Sequence, residues 1–204
     1  MANRDNGKPR QFAFVFAFAA WTTVAGVALA ALTDYASRPG LAARAPTSWP
    51  KATHLARTAG RGTLVMIAHT KCSCTRASLH ELARVMAMTG DRLDAIVVFV
   101  GPHEGSGLAG IIDLRASARA IPNVRVVEDE NEARVFGAAT SGQTLLYDDA
   151  GVLVFRGGLT VARGHEGDSA GADAVKRFVS AKRMTTQASE VFGCPLFDNH
   201  DKEP

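Results

Sequence analysis

Cysteine is scarce in this chain, with three in 204 residues. That is too few for a disulfide-built scaffold, and the odd count leaves at most one intramolecular pair plus one thiol. Long Lys or Arg runs are missing, and the formal charge is only +3, so nucleic-acid binding has no support. No internal repeat is present. Charge is absent altogether from Phe12 to Thr33, a run of mostly Phe, Ala, Val and Leu. That last absence has a positive meaning, because about 20 apolar residues cross a bilayer as a helix.

The flanks of this run set an expected orientation. Arg4, Lys8 and Arg10 precede it and Asp34 follows, which puts residues 1–11 in the cytoplasm and the rest outside. Ala28-Leu29-Ala30 resembles a signal-peptide cleavage site, but the apolar run is longer than a usual signal core and reads as an uncleaved anchor over 12–33. Either way the remainder is exported, into a setting that permits disulfide chemistry. The expected location is a bacterial inner membrane, single-pass, with the globular part in the periplasm. Residues 34–50 carry Pro39, Gly40, Pro46 and Pro50 and read as a linker. A domain is expected over 51–184, and a tail over 185–204 that docks near the active site.

Two of the cysteines, Cys72 and Cys74, lie between Gly62–His69, which reads as a buried strand, and Thr75–Met86, which reads as an amphipathic helix. A helix N-terminus offers unpaired backbone N–H groups and the positive end of the helix dipole, which favour a thiolate. Lys71 and Arg76 add positive charge nearby, and His69 stands three residues before Cys72. Thiolate is the species that attacks disulfides and binds soft metals. Residues two apart in a helical turn point to different sides, so a Cys72–Cys74 disulfide forces non-helical backbone and is readily reduced. The alternative is metal handling, with Cys72 and Cys74 joined by Cys194 or His165 on copper or an iron–sulfur cluster. A structural bridge, such as Cys74 to Cys194, is the blandest possibility. Cys194 itself sits in an apolar island, Val191–Phe197, within a polar tail. It is either a resolving thiol or third ligand, or a hydrophobe-like anchor.

Downstream, Asp94–Val100 and Val124–Val127 read as strands, and Leu108–Ala120 and Glu130–Phe136 as helices. Gln143–Tyr147 and Val152–Phe155 flank Asp148-Asp149-Ala150-Gly151, a strong hairpin signal. Asp173–Arg183 reads as a last helix, with Asp168 or Ser169 near its cap. This β-α-β-α-β-α-β-β-α order, with cysteines after the first strand, resembles the thioredoxin superfamily. The extra strand and helix before the hairpin resemble its peroxiredoxin and TlpA branch. Three stretches resemble the RedB-type membrane-anchored thioredoxin-like proteins: His69–Leu79, Arg163–Asp168 and Phe192–Leu196. The resemblance implies an α/β, thioredoxin-like three-layer fold with an N-terminal transmembrane helix. It implies thiol–disulfide exchange with a protein partner, itself membrane-associated, and no cofactor.

Two departures from ordinary thioredoxins stand out. The motif is Cys-x-Cys rather than Cys-x-x-Cys, and Thr140-Ser141-Gly142 replaces the proline before the hairpin strand. In the superfamily that loop packs against the active cysteines and pairs with substrate backbone, so Ser141 and Gly142 become the substrate-facing pair, glycine permitting close backbone approach. The resulting assignment has Cys72 as nucleophile, Cys74 as first and Cys194 as second resolving thiol, with His69, Lys71 and Arg76 around them. Peroxide reduction is disfavoured, since the Pro-x-x-x-Thr-x-x-Cys spacing is missing. The Gly105–Gly110 pattern matches G-x-G-x-x-G but is separated from its strand by Gly101–Glu104, so a dinucleotide site is not expected. His165 lies in a glycine-rich loop without metal-ligand spacing, and its expected work is shaping that loop.

Overall fold

A computed structural model describes residues 8–101, 113–181 and 187–197. The chain divides into two compact units. The first is a single helix, α1 (Lys8–Ser37), of which Gln11–Ser37 is long and apolar enough to cross a membrane. The second begins at Arg38 and holds every other element.

In that unit β1 (Gly62–His69) leads into α2 (Ser73–Thr89), and a short 3-10 turn leads on to β2 (Leu93–Val100). Then come α3 (Leu114–Arg119), β3 (Val124–Glu128), α4 (Glu130–Val135), the hairpin strands β4 (Gln143–Tyr147) and β5 (Leu153–Gly157), α5 (Ala170–Ala181) and a two-residue β6 (Gln187–Ala188). The sheet order is β3-β2-β1-β4-β5-β6. Strands β1, β2 and β3 run parallel, β4 is antiparallel to both β1 and β5, and β6 is parallel to β5.

Both faces of the sheet are covered, which is why residues 64–68 of β1 and 95–100 of β2 read as continuous apolar runs. Period-two alternation divides them between two cores. Leu64, Met66 and Ala68 of β1 and Ala95, Val97 and Phe99 of β2 pack with α2, α3 and α5. Val65, Ile67, Ile96, Val98 and Val100 face the other way, toward α4, Phe136 and Tyr147. Leu79, Leu82 and Met86 of α2 are buried against the sheet, as their helical spacing requires, and Met88 is exposed. Ser169 caps the start of α5, its Oγ accepting from the Ala172 N–H at 3.1 Å. The Gly105–Gly110 pattern and most of the expected helix over 108–120 lie outside the described residues; α3 covers the remainder.

The proline-bearing stretch after α1 is fastened to the domain from Gly40 onward. Gly40 N–H donates to Val191 O, Arg44 N–H to Gly137 O and Trp49 N–H to Gly151 O, while Leu153 N–H donates to Thr47 O. Trp49 makes edge-on contacts with Phe136 and Tyr147, each at 5.2 Å between ring centres. Proline restricts the backbone without supplying donors, so such a stretch is held by its remaining amides and its aromatic anchor.

Candidate functional site

The site lies at the carboxyl end of β1, where a parallel strand hands over to a helix. Cys72 is the N-cap residue of α2, with extended backbone at φ −87° and ψ 118°. It is only 2% exposed, and Cys74, two residues further on, is also buried. All three cysteines are free thiols.

Long-range pairing supplies the third sulfur. The tail crosses the loop that precedes β4, and Thr140 and Pro195 form an antiparallel bridge. Ser141 N–H donates to Cys194 O at 2.8 Å, and Leu196 N–H donates to Ala139 O at 3.0 Å. This pairing sets the Cys194 Sγ 3.2 Å from the Cys72 Sγ. A disulfide needs about 2.05 Å, so these sulfurs are in thiol contact and close to bonding distance.

Three sulfurs in one buried place share one negative charge. Cys72 is held well below the ordinary thiol range, at about 4. The main cause is a hydrogen bond from the Cys74 thiol; burial opposes it, and the Cys194 backbone N–H, the Cys194 thiol and the Cys74 backbone N–H reinforce it. Cys74 is pushed far up, first by that same hydrogen bond to Cys72, then by burial and the Cys72 charge. Burial, followed by the hydrogen bond to Cys72, raises Cys194 to about 11. At neutral pH Cys72 is therefore the thiolate, and Cys74 and Cys194 are the protonated donors that stabilise it.

The surrounding residues position these atoms. The His69 N–H donates to Ser141 Oγ at 2.9 Å, and Thr75 Oγ1 donates to His69 O at 3.0 Å. Ser141 Oγ and Thr75 Oγ1 are 3.1 Å apart. With the threonine proton committed to His69 O, the serine hydroxyl donates to threonine, and the loop is clamped to the strand–helix junction. Gly142 has φ +87°, and a Cβ there would lie 2.8 Å from Ser78 Oγ, so the loop presses on α2 as only glycine permits.

His69 Nδ1 accepts from the Lys71 N–H at 3.1 Å, which turns its ring toward the backbone of the motif. Lys71 and Arg76 are exposed, and neither is among the groups that lower Cys72. His165 is exposed, with Nδ1 2.8 Å from Arg163 O. Among the described residues, no group of three or more His, Cys, Asp and Glu side chains is arranged to hold a metal ion.

Arg163 joins the site, though nothing in the sequence assigned it a role of its own. Its guanidinium donates to Gly193 O, next to Cys194, and its charge lowers both Cys74 and Cys194. The rest of its loop is tied to α2: the Gly167 N–H donates to the buried Glu81 at 2.7 Å, and His80 meets Glu166 at 2.7 Å. The fold thus gathers His69–Leu79, Arg163–Asp168 and Phe192–Leu196 into one place.

The fold has solved counterparts. An uncharacterized conserved protein of Geobacillus kaustophilus is similar over 80% of this chain and 94% of its own, with TM-score 0.55 and 16% identity. A hypothetical protein of Sinorhizobium meliloti is similar over 78% and 93%, with TM-score 0.53 and 21% identity. An exposed lipoprotein thioredoxin of Streptococcus pneumoniae aligns over 59% and 84%, with TM-score 0.41 and 19% identity. In this chain the sheet segment β2-β1-β4-β5 has β4 reversed, with α2 after β1 and α5 after β5. The fold is thioredoxin-like. No family model matches the chain, and no curated protein matches it in sequence.

The charge sharing has a measurable consequence. Thiolate absorbance in the far ultraviolet is expected to persist down to acidic pH and vanish as pH falls through about 4. Cys74→Ala removes the principal hydrogen bond to that thiolate, so the midpoint rises by about 1 unit or more. An unchanged midpoint would show that Cys74 does not stabilise Cys72.

Proposed function

We propose that this chain is a membrane-anchored, RedB-type thiol–disulfide oxidoreductase whose domain works outside the cytoplasm, on a membrane-associated protein partner. The observation that carries the reading is a buried cysteine at a helix N-cap, with the Cys194 sulfur 3.2 Å from its own and Cys74 buried in the same helical turn. The apolar α1 supports the anchoring, and the convergence of the three RedB-like stretches on one site supports the type.

In this reading the Cys72 thiolate attacks one sulfur of a substrate disulfide. A Cys72–substrate bond forms, and the other substrate sulfur leaves as a thiolate. The negative charge on Cys72 is then gone. With it go the hydrogen bond and the repulsion that hold Cys194 and Cys74 protonated, while the Arg163 charge remains. Consuming one thiolate therefore arms the next. Cys194, already 3.2 Å from the Cys72 sulfur, loses its proton and attacks it, expelling the second substrate thiolate. Two electrons have passed to the substrate, and a Cys72–Cys194 disulfide is left. Oxidation of a dithiol substrate is the same sequence in reverse. Cys74 is the second candidate for resolving the mixed disulfide.

Thiol mapping by mass spectrometry, with metal analysis on the same sample, tests this. The expected result is a reducible Cys72–Cys194 bridge after mild oxidation, and no stoichiometric metal. Free thiols that resist oxidation and carry near-stoichiometric copper or an iron–sulfur cluster would sink the reading.

A further inference from the structure

We infer that the C-terminal tail is a built-in occupant of the substrate slot, and that the partner is an extended cysteine-bearing strand with glycine immediately before the cysteine. The inference rests on the thiol-exchange reading above and adds how the partner is recognised.

The tail has the attributes of such a strand. It pairs antiparallel with Ala139–Ser141, through Ser141 N–H to Cys194 O and Leu196 N–H to Ala139 O. That pairing aims the Cys194 sulfur at the nucleophile, 3.2 Å away. Cys72 is 2% exposed beneath it, so an incoming disulfide reaches the sulfur only when the tail moves. Once the tail leaves, Ser141 N–H and Ala139 C=O become unpaired edge groups of the kind that capture an extended peptide. The backbone path also has a selective point. A Cβ at Gly193 would lie 1.9 Å from Ser141 O, so no side chain fits at the position before the cysteine while the pairing is kept.

The part of the tail around the cysteine is the lightly held part. Residues 189–191 are pinned by backbone bonds to Arg156, Gly158 and Gly40, and Phe197 lies under Arg134, whereas residues 193–196 meet the loop through two backbone bonds and the Arg163 contact to Gly193 O. Segments of this kind open locally without unfolding the domain. Substrate and tail then alternate in one slot. The substrate strand displaces the tail and forms the mixed disulfide with Cys72; the returning tail attacks through Cys194 and takes back the backbone pairing. Chemical resolution and product release become one movement.

The test uses the full chain in detergent micelles and a synthetic peptide with the sequence of residues 189–197, its cysteine carried as a disulfide with thionitrobenzoate. Attack by Cys72 on the peptide sulfur forms the mixed disulfide and releases the coloured thionitrobenzoate. Gly193→Ala lifts the tail from the loop, and this variant is expected to react at least about ten-fold faster than the unaltered protein. Methylating the backbone nitrogen of the peptide's leucine removes the donor to Ala139 O and is expected to slow the variant by about three-fold or more, the worth of one net hydrogen bond. Replacing the peptide's glycine by alanine is expected to slow it at least as much. Equal rates for the two proteins would overturn the proposal. So would an acceleration indifferent to both peptide changes, since the tail would then be only a cover. If neither protein reacts with the peptide or with the small oxidant diamide, the thiol-exchange reading itself fails, and this inference with it. Should Gly193→Ala lose its thermal transition, Phe192→Ala loosens the tail from a different point and carries the same comparison.

Discussion

Replacing Cys72 with serine is expected to lower disulfide exchange by at least about a thousand-fold, because a hydroxyl stays un-ionised where a thiolate is the attacking species. The neighbouring sulfurs do not take over. Removing the Cys72 charge lets Cys194 and Cys74 ionise more readily, but burial still raises both and neither sits at the helix N-cap where the attack is aimed. The companion variants give a different result. Cys194→Ser leaves Cys72 at the helix start, with the Cys74 hydrogen bond intact, so the first attack proceeds and the mixed disulfide accumulates. Cys74→Ser keeps a hydroxyl donor beside Cys72, so the first attack is expected to proceed, with resolution left to Cys194. Mass spectrometry after a single turnover with an activated disulfide separates these cases. Accumulation in Cys74→Ser rather than in Cys194→Ser would exchange the roles of the two thiols. Full activity of Cys72→Ser would remove Cys72 from the chemistry.

Phe136→Ala is expected to cost about 3–5 kcal/mol of stability, the usual penalty for emptying a large aromatic site in a packed core. Phe136 is fully buried at the end of α4 and touches both Trp49 and Tyr147 edge-on. Its loss opens a cavity in the core layer between the sheet and α4, and deprives Trp49 of one of its two aromatic partners. Stability of a single domain is about 5–15 kcal/mol, so a loss of this size moves the denaturation midpoint strongly. Denaturant titration of the full chain in micelles, followed by near-ultraviolet circular dichroism, reads it. A loss under about 1 kcal/mol would mean that this layer closes up around the missing ring.

These two outcomes differ in how visible they are in the sequence. Cys72 declares itself: the apolar run of a buried strand ends, a helical period begins, and a cysteine stands at the join. The strands β1 and β4 coincide with their sequence expectations to the residue, because each has an apolar centre with glycine or clear turn chemistry at an edge. The glycine at 151 likewise marks the hairpin, where φ is +84°. The stretch from Gly40 to Trp49 is harder to read, because proline and glycine look alike in a free linker and in a chain fastened by a few amides and one indole. The two-residue β6 is shorter than any periodicity can reveal.

The site divides in the same way. Lys71 and Arg76 stand beside the motif in sequence, yet the groups that lower Cys72 are the thiols and backbone N–H groups of Cys74 and Cys194. Charge proximity along the chain is a weak guide, since an exposed ammonium or guanidinium is screened by water. Hydrogen bonds inside a buried site are not.

By itself the sequence determined the α/β order, an apolar segment long enough to cross a bilayer, and a cysteine at a helix start. Those are consequences of local periodicity, side-chain volume and turn chemistry. Only the tertiary structure decided that Cys194, 122 residues from Cys72, lies 3.2 Å from its sulfur, and that Arg163 holds the residue beside it. The reason is that both contacts arise from a tail strand pairing with a loop. Such pairing is set by backbone hydrogen bonds and by the space a missing Cβ leaves at Gly193, neither of which has a period along the chain.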